Sequence, residues 1–142
     1  MIRSMVRVAL LLSMFTPRTS EWQAANKTLS ERADVAVSKQ TYLGHCAACH
    51  GSDGRGFGSA ASELKTPPTD LTKLSRTHGG RFPEDYVVQI LLFGKPIPAH
   101  GSVEMPIWGP IFGIRENGSE VAVRLRIKNL CEYLKTLQEK ES

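Results

Sequence analysis

The chain has 142 residues, with 18 lysines or arginines against 14 aspartates or glutamates and a formal net charge of +4. That length suits a single core. The modest surplus of positive charge, with no aromatic residues interleaved among the basic ones, argues against a nucleic-acid-binding protein.

In chain order, the first pattern is Arg3 and Arg7 ahead of an apolar run over residues 8–15, closed by Thr16, Pro17 and Arg18. This resembles a secretory signal peptide, the alternative being a disordered cytoplasmic N-terminus, and the run is far shorter than the roughly 20 residues that cross a bilayer. Ala-x-Ala is absent, and Ala24 and Ala25 are the best small residues for processing, which puts the mature start near Asn26. The expected organisation is a signal peptide over 1–25 and one domain over 26–142. Removing 1–25 takes away Arg3, Arg7, Arg18 and Glu21, leaving 15 basic and 13 acidic residues and a net charge of +2.

The spacing of Ala33, Val37 and residues 40–42 predicts an amphipathic helix over 30–43. It leads into Cys46-Ala47-Ala48-Cys49-His50. Two thiols at this spacing can each add across a haem vinyl group while the adjoining imidazole becomes the proximal iron ligand, so the motif predicts covalent haem. A zinc knuckle would need a second ligand pair, and Cys131 has no such partner. A redox dithiol would need a βαβ setting, but the sequence before Cys46 reads as helix and the sequence after it is glycine-rich.

Residues 51–58 are dense in glycine, either to let backbone run close to a planar cofactor or simply as a flexible loop. The Gly-Lys-Ser/Thr ending of a phosphate loop is missing. Pro67 and Pro68 precede a segment, 69–75, able to make one or two helical turns. The carbonyl of Pro67 or Pro68 is a candidate acceptor for the Nδ1 proton of His50, the alternative being that these prolines only stiffen the loop. Pro83 and Gly94 bracket a helix over 84–93, with Tyr86, Val87, Ile90 and Leu91 on its buried face.

The stretch from His100 to Gly109 contains Met105, the one methionine outside the expected signal peptide. A thioether favours ferrous iron, so Met105 is the candidate second axial ligand, its backbone stiffened by Pro106. Trp108 is a candidate to reach a haem propionate with its indole proton; otherwise it is a core tryptophan. Asn117-Gly118 turns the chain and Ser119 is placed to cap a last helix with Val123, Ile127, Leu130, Leu134 and Leu137 on one stripe. Cys131 beside that stripe reads as a small buried hydrophobe, or as a thiol that pairs with another chain.

Together these stretches resemble the bacterial class I monohaem cytochromes c. The resemblance lies in Tyr42-x-x-x-Cys46-Ala47-Ala48-Cys49-His50-Gly51, in Met105-Pro106-x-Trp108-Gly109, and in Leu130, Tyr133, Leu134 and Leu137 of the last helix. It departs at Ser38, where the family commonly has glycine at the crossing of the terminal helices. What the resemblance implies is an all-α fold of about four helices around one haem c, bound through Cys46 and Cys49 with His50 and Met105 as axial ligands. It further implies a periplasmic one-electron carrier that meets redox partner proteins, such as a dehydrogenase or an oxidase, and needs no small-molecule substrate. Two other roles compete: the haem subunit of a periplasmic dehydrogenase complex, and a haem peroxidase or gas sensor in which His78 or His100 serves a labile distal site.

Overall fold

The computed structural model describes residues 19–94 and 105–139. It is 68% helical with no strand among the described residues, so the fold is all-α. Among the described residues six α-helices appear in order: α1 Thr19–His45, α2 Ala47–His50, α3 Leu74–Thr77, α4 Glu84–Phe93, α5 Trp108–Arg115 and α6 Glu120–Thr136. Single 3-10 turns occupy Ala61–Glu63 and Leu71–Lys73.

The chain divides into two compact units at Arg32 and Ala33, within α1. The described part of the first, residues 19–32, is helical, with Trp22 and Leu29 exposed and Lys27 paired with Glu31 at 3.8 Å. The sequence pattern starts this helix at 30, and the structure carries it back to Thr19. The reason is local: no proline or glycine interrupts residues 19–43, and alanine, glutamate, lysine, arginine and leucine are strong helix formers that need no apolar stripe to continue a helix. The expected processing point near Asn26 falls inside α1.

In the second unit α6 packs on α4 and α5, and α4 packs on α5. Val123, Ile127, Leu130 and Leu134 are the buried stripe of α6, spaced to face one side, and Ile127 and Leu130 are almost wholly enclosed. Asn117 and Gly118 turn with positive φ (52° and 78°), and the Ser119 hydroxyl accepts from the Ala122 amide at 3.3 Å. Leu137 follows the helix and packs against the core without being part of it. α4 keeps its anticipated ends: Pro83 stands at the N-cap, and Gly94 closes it in the left-handed region with its N–H on the Ile90 carbonyl at 2.8 Å. Val87, Ile90, Leu91 and Leu92 are buried, whereas Tyr86 is only partly so.

No helix is legible over 108–115 in the sequence, because Gly109, Pro110 and Gly113 read as breakers. Pro110 sits in the first turn of α5, where the missing N–H has no intrahelical partner to lose. Gly109 is required by packing: a Cβ there would stand 2.6 Å from the Leu92 carbonyl oxygen. Ser38 is buried, its hydroxyl donating back to the Asp34 carbonyl at 2.7 Å, and Tyr42 meets Tyr133 of α6 with ring centroids 5.3 Å apart. Cys131 is fully buried and its thiol is pushed up to about 12, chiefly by burial, as suits a small core side chain.

Candidate functional site

The Cys46-x-x-Cys49-His50 segment is a tight continuation of α1. The Cys46 amide bonds to the Tyr42 carbonyl at 2.8 Å, and the His50 amide to the Cys46 carbonyl at 2.9 Å. A single helical turn thus sets Cys46, Cys49 and His50 at intervals of three and four residues, which brings them to one side. Gly51 ends the turn at φ 80°, and the buried Tyr42 hydroxyl donates to its carbonyl at 2.6 Å.

A helical turn leaves its last carbonyls without partners, and here the glycine-rich loop supplies them. The amides of Gly51, Ala60, Gly58 and Gly56 bond to the carbonyls of Ala47, Ala48, Cys49 and His50 at 2.9, 2.8, 3.0 and 2.7 Å. The loop is therefore a backbone brace for the motif. It is tied in turn to the next segment, since the Leu71 amide bonds to the Gly54 carbonyl at 2.7 Å.

His50 is 5% exposed, and its Nδ1 lies 3.0 Å from the carbonyl oxygen of Thr69. A carbonyl only accepts, so Nδ1 carries the proton and Nε2 keeps a free lone pair. Burial lowers the pKa of the ring, opposed in part by the bond to Thr69, so the imidazole is neutral and available as a donor. The acceptor is neither Pro67 nor Pro68. Pro67 is exposed, and the Pro68 carbonyl is pressed against Gly56, where a Cβ would come within 2.6 Å of it. The rigid pair directs the chain, and the first carbonyl past it reaches the histidine.

His50, Cys46 and Met105 line the same cavity, which has about 770 Å³ of unfilled space counting its open mouth. Its walls are mostly apolar, from Leu71 and Leu74, Ile90 and Leu91 of α4, and Leu130 and Leu134 of α6. Cys49 is half-buried on the same turn but not in the lining. Trp108 is also outside the lining; its ring stacks on Phe112 at 5.5 Å and meets His45 at 5.1 Å. Trp108 is thus a core residue, not a wall of this cavity. His78 and Tyr86 do reach the lining, and His78 Nδ1 lies 2.9 Å from the Leu74 carbonyl. His100 lies outside the described residues.

Burial and the neighbouring Cys49 push the Cys46 thiol up to about 12, so it is protonated near neutrality and poorly suited to act as the nucleophile of a redox dithiol. Among the described residues no three His, Cys, Asp or Glu side chains gather as a metal site would need. The donor set fits a planar cofactor held covalently: the Cys46 thiol, a buried imidazole with a free Nε2 and the Met105 side chain meet at one apolar cavity, and Cys49 stands on the same turn beside it. No protein-family model, curated protein or solved structure matches the chain.

Thr69 and the hydroxyl of Tyr42 have parts in the site that the sequence pattern does not reveal. Asp70, whose part is also not anticipated, has a visible signal, an aspartate at the start of the segment expected to turn, and it caps Leu71–Lys73. Its carboxylate accepts from the Thr72 amide at 3.0 Å and pairs with Lys73 at 2.5 Å, capping the turn that follows the Thr69 carbonyl. Burial raises the Asp70 pKa, but the hydrogen bonds from Lys73 and Thr72 outweigh it and hold the group below the usual carboxylate value. A depressed folded-state pKa stabilises above the unfolded pKa of about 3.9, and that gain is lost as pH falls through the folded value. Asp70→Ala is therefore expected to cost about 1 kcal/mol at pH 7 and progressively less in acid. Urea titrations followed by circular dichroism at neutral and acidic pH check this, and an equal cost at both would contradict it.

Proposed function

We propose that the chain is a periplasmic one-electron carrier of the class I cytochrome c kind, with one haem c attached through Cys46 and Cys49 and with His50 and Met105 as axial ligands. The observation that carries this reading is the meeting of His50, its Nδ1 fixed on the Thr69 carbonyl, with Cys46 and Met105 in the wall of one apolar cavity. When bound, the haem supplies an iron that cycles between ferrous and ferric. His50 contributes a neutral imidazole whose orientation and basicity are set by Thr69. Met105 contributes a soft, uncharged sulfur that favours the reduced metal and raises the potential. The leucines and isoleucine of the walls exclude water, which keeps reorganisation small and favours electron transfer over ligand chemistry. No acid, base or nucleophile is required of the chain, and its partners would be redox proteins such as a dehydrogenase or an oxidase.

Export is part of the proposal, since the Arg3, Arg7 and 8–15 pattern is that of a signal peptide. No described helix is long and apolar enough to cross a membrane. The presence of His78 in the cavity wall favours a second reading, a haem enzyme or gas sensor with a displaceable distal ligand.

The test is the ferric absorption spectrum of protein matured in a periplasm, for the wild type and for Met105→Ala. The expected result is covalent haem with the weak far-red band of a methionine-to-iron bond in the wild type, lost in Met105→Ala together with a fall in reduction potential. Covalent haem without that band, combined with rapid carbon monoxide binding, would favour the second reading. Absence of covalent haem would end both.

A further inference from the structure

We infer that His45 is a positioning residue for Met105, holding the thioether at the cavity by clamping the first turn of α5 to the end of α1. This rests on the proposed His50/Met105 ligation. His45 is the last residue of α1 and directly precedes Cys46. Trp108 opens α5 and stands three residues after Met105. The two side chains meet with ring centroids 5.1 Å apart, and His45 also meets Phe112 of the same helix in an edge-type contact with centroids 5.7 Å apart.

Both partners are fixed: Trp108 is 8% exposed and Phe112 is fully buried. The Arg126 guanidinium of α6 also lies over the Phe112 ring, 5.5 Å from its centroid, while its Nε donates to Glu116 at 2.8 Å. Burial lowers the His45 pKa, with Arg115 and Arg126 acting in the same direction, so a neutral ring sits in the stack. Three residues of extended chain span no more than about 11 Å, so the placement of Trp108 limits where the Met105 side chain can go. His45 thus couples the helix end that leads directly into Cys46 to the segment that carries the thioether.

His45→Ala and His45→Phe, each in the haem-loaded chain, test this. His45→Ala is expected to keep covalent haem and its helix content but to lose the far-red band at a temperature where the wild type retains it, and to admit carbon monoxide to ferrous iron faster. His45→Phe, which restores a ring against Trp108, is expected to recover both readouts. If His45→Ala does not fold, His45→Leu, which fills the space without a ring, carries the same comparison with His45→Phe.

Retention of the band and of resistance to carbon monoxide in the ring-less variant would overturn the inference while leaving the ligation intact. So would loss of the band only in step with global unfolding, with no recovery in His45→Phe. A wild type without the band would overturn the ligation reading itself, and this inference with it.

Discussion

His50→Ala is expected to abolish the low-spin haem spectrum of protein matured in a periplasm. In the proposed carrier this substitution removes the proximal donor, whereas Met105→Ala removes a ligand whose place water or another side chain can take. The loss extends to the protein itself. His50 is buried and its Nδ1 proton satisfies the Thr69 carbonyl, so alanine leaves that acceptor without its partner and enlarges a cavity already present. Thr69 itself is exposed, so water can replace the lost donor and the broken hydrogen bond costs about 1 kcal/mol. Absorption spectra of the oxidised and reduced protein, with denaturing electrophoresis to detect any haem still attached, measure both parts. A variant with the wild-type spectrum would rule out His50 as the ligand.

On folding, Gly58→Ala is expected to be the most damaging change. A Cβ at this position would overlap the Ala48 carbonyl oxygen and come within 2.5 Å of that of Ala47, and backbone cannot swing aside as a flexible side chain can. Relief requires the loop to move away from the CxxCH turn. That movement breaks the bond of the Gly58 amide to Cys49 and strains the flanking bonds of Gly56 to His50 and Ala60 to Ala48. Overpacking together with one or two lost hydrogen bonds is expected to cost about 3 kcal/mol or more. Gly44 provides the contrast. It lies in α1 with nothing within 4 Å of an added Cβ, so Gly44→Ala should stabilise by roughly 0.5–1 kcal/mol through the restricted unfolded chain. Thermal melts of the two variants, followed by circular dichroism, make the comparison. Equal melting temperatures would mean that the loop does not brace the motif.

Elements whose ends carry their own chemistry are legible in the amino-acid sequence. Pro83 and Gly94 delimit α4, and the turn at Asn117 and Gly118 with the Ser119 cap starts α6, because caps and turns act over a few neighbouring residues. The buried stripe of α6 is likewise readable, since periodicity alone sets which side chains share a face. Helix α5 is hidden by two glycines and a proline. Whether such residues break a helix depends on their position within it and on what packs against them, here Leu92 of α4. The early part of α1 is hidden for the opposite reason, because a helix without an apolar stripe leaves no periodic signal.

At the site, the candidate donors can be read directly from the chain: two thiols and an imidazole within five residues, and one methionine in the region that follows. Chemical identity and local spacing belong to the sequence, so they need no fold. That Thr69, and not Pro67 or Pro68, takes the His50 proton follows from the folded chain alone. The same holds for the glycine loop bracing the motif's carbonyls, and for Trp108 facing His45 and Phe112 instead of lining the cavity. Each of these depends on which backbone or ring arrives beside a given atom from a distant part of the chain. Packing settles that, and no pattern within a few residues records it.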